Sequence, residues 1–351
     1  MEVSNVSVSA TFKHLIVLSH GMNGTYTDLN YLEELLLPST DSSSWNDVKV
    51  FKSAKNSHRN SLKGVRKGSE ELVSEITEIL KDNSSIETIS FVGNSLGGVY
   101  ARFAISLLYD SSTNSFINNI KPLAFITIAT PHLGVNYGQN YIESDLQFYV
   151  PGAIKYFVSS LFSVTGRDMF MLDEGNMKHS ILYKLATEDQ YLLPLKAFKY
   201  RRLYANLQND FMVSLPTASV MAPEDVVNLR NTYKDTYGIV TTLHTTVATI
   251  NSGNEGDLSS SDTSTLLSTM RANLNSLGWS KVIVNFKGIF PMAHNKIAAV
   301  TKFPLFFWNM FNFHEGSFVM EDLAQFLRSS IGNVTAQGEN SILTHDDFIR
   351  I

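Results

Sequence analysis

Ile89-Ser90-Phe91-Val92-Gly93-Asn94-Ser95-Leu96-Gly97-Gly98-Val99 is the stretch on which the reading of this chain turns. Residues 86–92, with Ile86, Ile89, Phe91 and Val92, read as an apolar strand. Glycines then crowd around a serine, and Val99, Phe103, Leu107 and Leu108 follow at helical spacing. Strand, glycine turn and helix without a gap fit a nucleophile elbow, which lifts the serine hydroxyl out at the end of a sheet. Gly93 and Gly97 keep the neighbouring backbone from clashing. The N-terminus of the following helix points its N–H groups at a developing oxyanion. A bare five-residue match would equally describe an ordinary strand-to-helix turn; the readable strand before it and helix after it favour Ser95 as a nucleophile.

Working outward, residues 14–18 form another apolar run, ending abruptly in Ser19-His20-Gly21-Met22-Asn23-Gly24. This is where the second half of an oxyanion hole belongs, so the backbone N–H groups of Met22 and Leu96 are the expected donors, and the His20 side chain is read as shaping the turn. Further strands are expected at residues 48–51, 123–128, 199–207 and 281–286, with an edge strand at 6–10. Helices are expected at 69–81, with Ser69 as N-cap, and at 265–277 and 316–328. The strand-helix alternation implies an α/β class chain, a mostly parallel doubly wound sheet of the α/β-hydrolase fold. Residues 1–351 read as one such domain, interrupted by an aromatic-rich helical lid or cap at about 134–196 and by a Gly, Ser, Asn and Asp flexible loop at 251–264.

In this fold an acid and then a histidine follow the serine, each just beyond a later strand. Asp210 follows the strand at 199–207 in an Asn209-Asp210 turn, and is preferred to Asp168, Asp173, Asp189 and Asp225. A solvated turn aspartate is the alternative. His294 follows the strand at 281–286. Among the nine histidines, His14, His20, His58, His132 and His179 precede the acid, and His244, His314 and His345 show no core strand before them. His294 would be the base and Asp210 the group that orients it.

Composition narrows the chemistry. The 28 Lys and Arg against 33 Asp and Glu are well mixed, leaving a net charge of -5 and no basic stripe for nucleic acid. Cysteine is absent, so thiolate catalysis, disulfides and Cys-ligated zinc are excluded. No histidine pair has metal-ligand spacing; no metal and no cofactor are expected. No apolar run reaches the roughly 20 residues of a spanning helix, and the first residues do not resemble a signal peptide, so cytoplasmic residence is the expectation.

With these residues placed, the chain resembles the lipase-like serine esterase family of fungi, plants and animals, whose yeast members include monoacylglycerol lipases. The likeness rests on residues 20–24, on 93–98 with Tyr100-Ala101-Arg102, and on Ala129-Thr130-Pro131-His132-Leu133-Gly134. It continues through Thr165-Gly166-Arg167-Asp168 with Leu172-Asp173, through 195–213, and through Met292-Ala293-His294-Asn295. It spans residues 12–328. Asn94 departs from it, since many relatives place histidine beside the nucleophile. The resemblance implies hydrolysis of a lipid ester, an acylglycerol or a phospholipid. An acyltransferase using the same three residues, or a non-catalytic hydrolase-fold module, are the competing readings. Phe157 and Phe162 in the insertion, and Phe307 and Trp308 after His294, either line an acyl pocket and touch a membrane or lipid-droplet surface, or are packed into the core.

Overall fold

The computed structural model describes residues 11–37, 45, 47–135, 163–248, 263–287, 292–300 and 313–339. Its strands are β1 (His14–Ser19), β2 (Val48–Lys52), β3 (Thr88–Asn94), β4 (Tyr109–Asp110), β5 (Ser115–Phe116), β6 (Lys121–Ile128), β7 (Tyr200–Asn206), β8 (Gly238–His244) and β9 (Ser280–Asn285). Seven of them form one sheet in the order β2-β1-β3-β6-β7-β9-β8, while β4 and β5 make a separate two-stranded hairpin. Every pairing in the large sheet is parallel except that of β8 with β9.

Alternation along the strands divides the apolar residues between two cores. Leu15, Val17, Phe91, Phe125 and Leu203 face the helices Val65–Asp82 and Leu96–Leu108. Ile16, Leu18, Val92, Ile126, Tyr204 and Val282 face the helices Asn30–Leu36 and Ser317–Glu339, whose Leu32, Leu36, Val319 and Leu323 complete that layer. Helices cover both faces of a mostly parallel sheet, and the sharp turn that leaves β3 for a helix carries Ser95; together these make the α/β-hydrolase fold.

Several elements differ from the sequence expectation. The helix expected after Ser69 begins at Val65, and Ser69 lies buried inside it with its hydroxyl 2.8 Å from the Val65 carbonyl. The true start is set by Gly64, at φ 98°, and by two side chains from a distant segment. Asp168 Oδ2 accepts the Val65 N–H at 2.6 Å, and Thr165 Oγ1 accepts the Gly64 N–H at 2.9 Å. The helix expected at 265–277 is Thr263–Asn275, so Thr263 and Ser264 leave the expected loop; residues 251–262 lie outside the described residues. The expected edge strand at 6–10 does as well. β8 and the helix Pro223–Tyr233 were not foreseen, and His244 does end a strand of the sheet. Because β8 runs antiparallel, His244 pairs with Ser280, at the rim where the parallel strands begin.

The described end of the insertion carries the helices Ser163–Met169, Ile181–Thr187 and Asp189–Lys196. It is tied to the helix Leu96–Leu108 by Arg102, a buried guanidinium that donates to His132 O, just past β6, at 3.0 Å and to Leu185 O at 2.8 Å. Burial without a carboxylate partner lowers Arg102 to about 9. Burial and then the Arg102 charge hold His132 well below its usual range. No described helix is long and apolar enough to cross a membrane.

Asp168 gives this anchoring a pH dependence. Burial raises its carboxyl from an ordinary 3.8 to about 6 against the opposing Val65 N–H bond. Asp173 and Glu174 add to the rise, and Arg167 counters it. With the folded value above the unfolded one, the group's contribution to stability is fully present below about pH 4 and is lost as pH climbs through 6. Asp168→Asn keeps an acceptor for Val65 without the charge. We expect it to melt above the wild type at pH 8, with the gap closing toward roughly pH 4, in thermal unfolding followed by circular dichroism.

Candidate active site

The turn between β3 and the helix Leu96–Leu108 places Ser95 at φ 54°, ψ -125°, a backbone conformation that costs about 1–3 kcal/mol for a residue with a side chain. Three bonds hold it there. The Ser95 N–H donates to Ile128 O on the neighbouring strand at 2.7 Å. Thr130 Oγ1 and the Gly98 N–H donate to the Ser95 carbonyl at 2.9 and 3.1 Å. The flanking glycines are required by contact. A methyl on Gly97 would overlap the Ser19 and His20 carbonyl oxygens, and one on Gly93 would overlap Gly98.

Asp210 lies on the loop leaving β7, and His294 on the one-turn helix Ala293–Lys296 that follows β9. The two loops are stitched together by an isolated bridge between Asp210 and Met292 and by the Ala293 N–H donating to Asn209 O at 3.1 Å. As a result Nδ1 of His294 lies 3.0 Å from Asp210 Oδ2, and Nε2 lies 2.9 Å from Ser95 Oγ. A carboxylate only accepts, so Nδ1 carries the proton and Nε2 is left to accept from the serine hydroxyl. The three groups are sheltered: Ser95 is 6% exposed, and the His294 and Asp210 side chains are 6% and 2% exposed.

Asp210 is fully engaged. Its Oδ1 accepts the Met212 and Val213 N–H groups at 3.0 and 2.8 Å, and its Oδ2 accepts Asn206 Nδ2 at 2.7 Å as well as His294. Asn206 was not singled out from the sequence. The other acids weighed there lie elsewhere: Asp168 caps a helix, and Asp173 Oδ2 accepts the Ile181 N–H at 2.8 Å.

The loop after β1 closes over the serine from the other side, where a methyl on Gly21 would sit 2.9 Å from Ser95 Cβ. Neither the Met22 nor the Leu96 N–H enters a loop or turn hydrogen bond among the described residues. His20 is buried, with Nδ1 3.0 Å from Gly21 O and Nε2 3.5 Å from Ser57 Oγ, consistent with shaping the turn. Phe211, beside the acid, is 55% exposed. Phe157, Phe162, Phe307 and Trp308 lie outside the described residues.

Sheltered, hydrogen-bonded and linear in order, the serine, imidazole and carboxylate can move a proton from Oγ to Nε2 while Asp210 compensates the resulting charge. Gly97→Ala tests the geometry beneath this. Since the methyl meets backbone rather than a mobile side chain, we expect a loss of about 3 kcal/mol or more of stability in urea unfolding.

A family model described as "Putative serine esterase (DUF676)" matches residues 9–221, a span that includes Ser95 and Asp210 and stops short of His294. Among curated proteins, "Putative lipase ROG1" of Saccharomyces cerevisiae is 34% identical over 215 residues, covering 60% of this chain and 29% of that protein. "Putative lipase YDL109C" of the same yeast is 30% identical over 210 residues, covering 59% and 30%. The chain therefore spans less than a third of the length of these relatives. Among solved structures, the Bacillus licheniformis lipase BlEst2 aligns at 15% identity with a TM-score of 0.33, over 57% of this chain and 67% of that one. A lipase-esterase related protein of Clostridium acetobutylicum aligns at 10% identity and a TM-score of 0.33, over 63% and 83%.

Proposed function

Because the chain belongs to the family described as "Putative serine esterase (DUF676)", we propose that it is a serine hydrolase that cleaves carboxylic esters of lipids through an acyl-enzyme on Ser95. The observation that carries this reading is the continuous path Ser95 Oγ, His294, Asp210, with separations of 2.9 and 3.0 Å.

In the proposed cycle His294 Nε2 takes the Ser95 proton as Oγ attacks the ester carbonyl. The Met22 and Leu96 N–H groups receive the oxyanion, and each such donor typically contributes a factor of about 10²–10³ in kcat. His294 returns the proton to the leaving alcohol. Water, activated by the same nitrogen, then releases the fatty acid, while Asp210 holds the ring and stabilises the imidazolium. The exposed Phe211 beside the acid supports an apolar acyl group, and the yeast relatives named as lipases support a lipid ester. An acylglycerol or phospholipid substrate belongs to the same proposal, as do one domain for the whole chain and peripheral contact with a lipid surface.

A fluorophosphonate probe tests the chemistry directly. The wild type is expected to label and Ser95→Ala to remain blank. On a p-nitrophenyl ester, His294→Ala should lose about 10⁶-fold in kcat and Asp210→Ala about 10⁴-fold. Labelling that survives Ser95→Ala moves the nucleophile elsewhere. Products from a panel of acylglycerols, phospholipids and short esters then settle the substrate. Free fatty acid fits hydrolysis, whereas acyl passed to an added alcohol indicates a transferase.

A further inference from the structure

We propose that Asn206 is a positioning residue that acts through Asp210, an inference that rests on the serine-hydrolase reading given above. Asn206 is the last residue of β7 and is 1% exposed. Its Nδ2 donates to the same Asp210 oxygen that faces His294 Nδ1.

The four donors on Asp210 have different origins. Met212 and Val213 belong to the loop that carries the acid, so their bonds fix the carboxylate only relative to that loop. His294 is the group to be oriented. Asn206 alone among the four comes from a strand of the parallel sheet, and its bond refers the acid to the rigid frame on which Ser95 also sits. That matters because a small misplacement of a catalytic group costs far more rate than it costs stability.

The other end of the amide supports a functional rather than a packing role. An ionised carboxylate has no donor to offer, so the amide orientation is dictated: NH₂ toward Asp210, carbonyl away from it. In that orientation Asn206 Oδ1 is buried and has no hydrogen-bond partner among the described residues. A buried unpaired carbonyl opposes folding. Selected for stability alone, the position would favour an apolar side chain of similar size; the amide makes sense where its donor is needed.

The test compares Asn206→Leu and Asn206→Asp with the wild type. Three readouts are used: the ring ¹⁵N shifts of His294, kcat and KM on a p-nitrophenyl ester, and the melting temperature. For Asn206→Leu the ring shifts should move from the Nδ1–H form toward a mixture of tautomers. We expect kcat to fall about tenfold to a hundredfold with KM within roughly twofold, and the melting temperature to hold or rise. Asn206→Asp, which sets a second carboxylate against the first, should perturb the ring at least as much. In an Asp210→Asn background, Asn206→Leu should add no further loss, because the two act as one unit. Unmoved ring shifts overturn the proposal, whether activity is kept or falls together with the melting temperature. A wild type that neither labels nor hydrolyses any ester would sink the serine-hydrolase reading, while the ring shifts would still decide for or against Asn206.

Discussion

A positive φ at Ser95, in a residue that is not glycine, is the constraint on which the rest of the structure depends. At φ 54° the chain turns sharply enough to end β3 and begin a helix within one residue, and this aims the side chain out of the sheet. The strain of about 1–3 kcal/mol is affordable only because both flanks are anchored. Phe91, Val92, Val99 and Phe103 are all but fully buried, and each such side chain contributes about 1.5–3 kcal/mol relative to exposure. The bond from Ser95 N–H to Ile128 O then fixes the turn against the next strand. Packing outweighs strain here by several fold, so the serine is held in an unfavourable conformation by an ordinary core.

Parallel strands extend that logic to the other two groups. Strands that run the same way deliver their exits to the same rim, so the loops after β3, β7 and β9 meet without any long connection crossing the sheet. The β9 loop does not reach Ser95 independently; it is paired to the β7 loop through Met292 and Asp210 before His294 is presented. Asp210 and His294 are therefore placed as one unit whose position relative to Ser95 is set by the spacing of β3, β6, β7 and β9. The antiparallel β8 shows the rule by contrast, since its end delivers His244 to the opposite rim, away from the serine.

What could be read from the sequence divides along the range of the interactions involved. The elbow is local: strand, glycines, serine and helix occupy one continuous stretch, and steric demand at Gly93 and Gly97 leaves few other residues possible. The central parallel strands β1, β3 and β6 are legible because burial on both faces fills most of their positions with apolar residues. By contrast, the start of the helix Val65–Asp82 is capped by Asp168, about a hundred residues away in sequence, and no local signal points to Gly64 rather than Ser69. β8 escaped notice because an edge strand, half exposed, mixes Thr with Ile, Val and Leu and reads like a connecting segment. Asn206 was overlooked for a related reason. Asparagine at the end of a strand is common where a turn follows, and only the folded arrangement separates a turn former from a donor to Asp210.

Buried polar groups in this molecule fall into two kinds, and the difference bears on where its free energy is committed. Arg102 and Asp168 are buried charges satisfied mainly by backbone, Arg102 by carbonyls and Asp168 by an N–H. Both are displaced from their ordinary titration ranges because desolvation exceeds what those bonds return. Each joins a segment of the insertion to the sheet or to a helix beside it, so the cost falls where two parts of the fold must be held in register. Around Ser95 the hydrogen bonding is denser. Each Asp210 oxygen accepts from two donors, both His294 nitrogens are engaged, and the costs lie in the strained serine backbone and in the Asn206 carbonyl, which has no partner among the described residues. A proton relay needs partners that are ordered before the reaction starts, because reorienting a dipole during proton transfer would add directly to the barrier. The costs therefore sit in the Ser95 backbone and in an Asn206 carbonyl that has no partner among the described residues, and not in the side-chain atoms of Ser95, His294 and Asp210 that bond to one another.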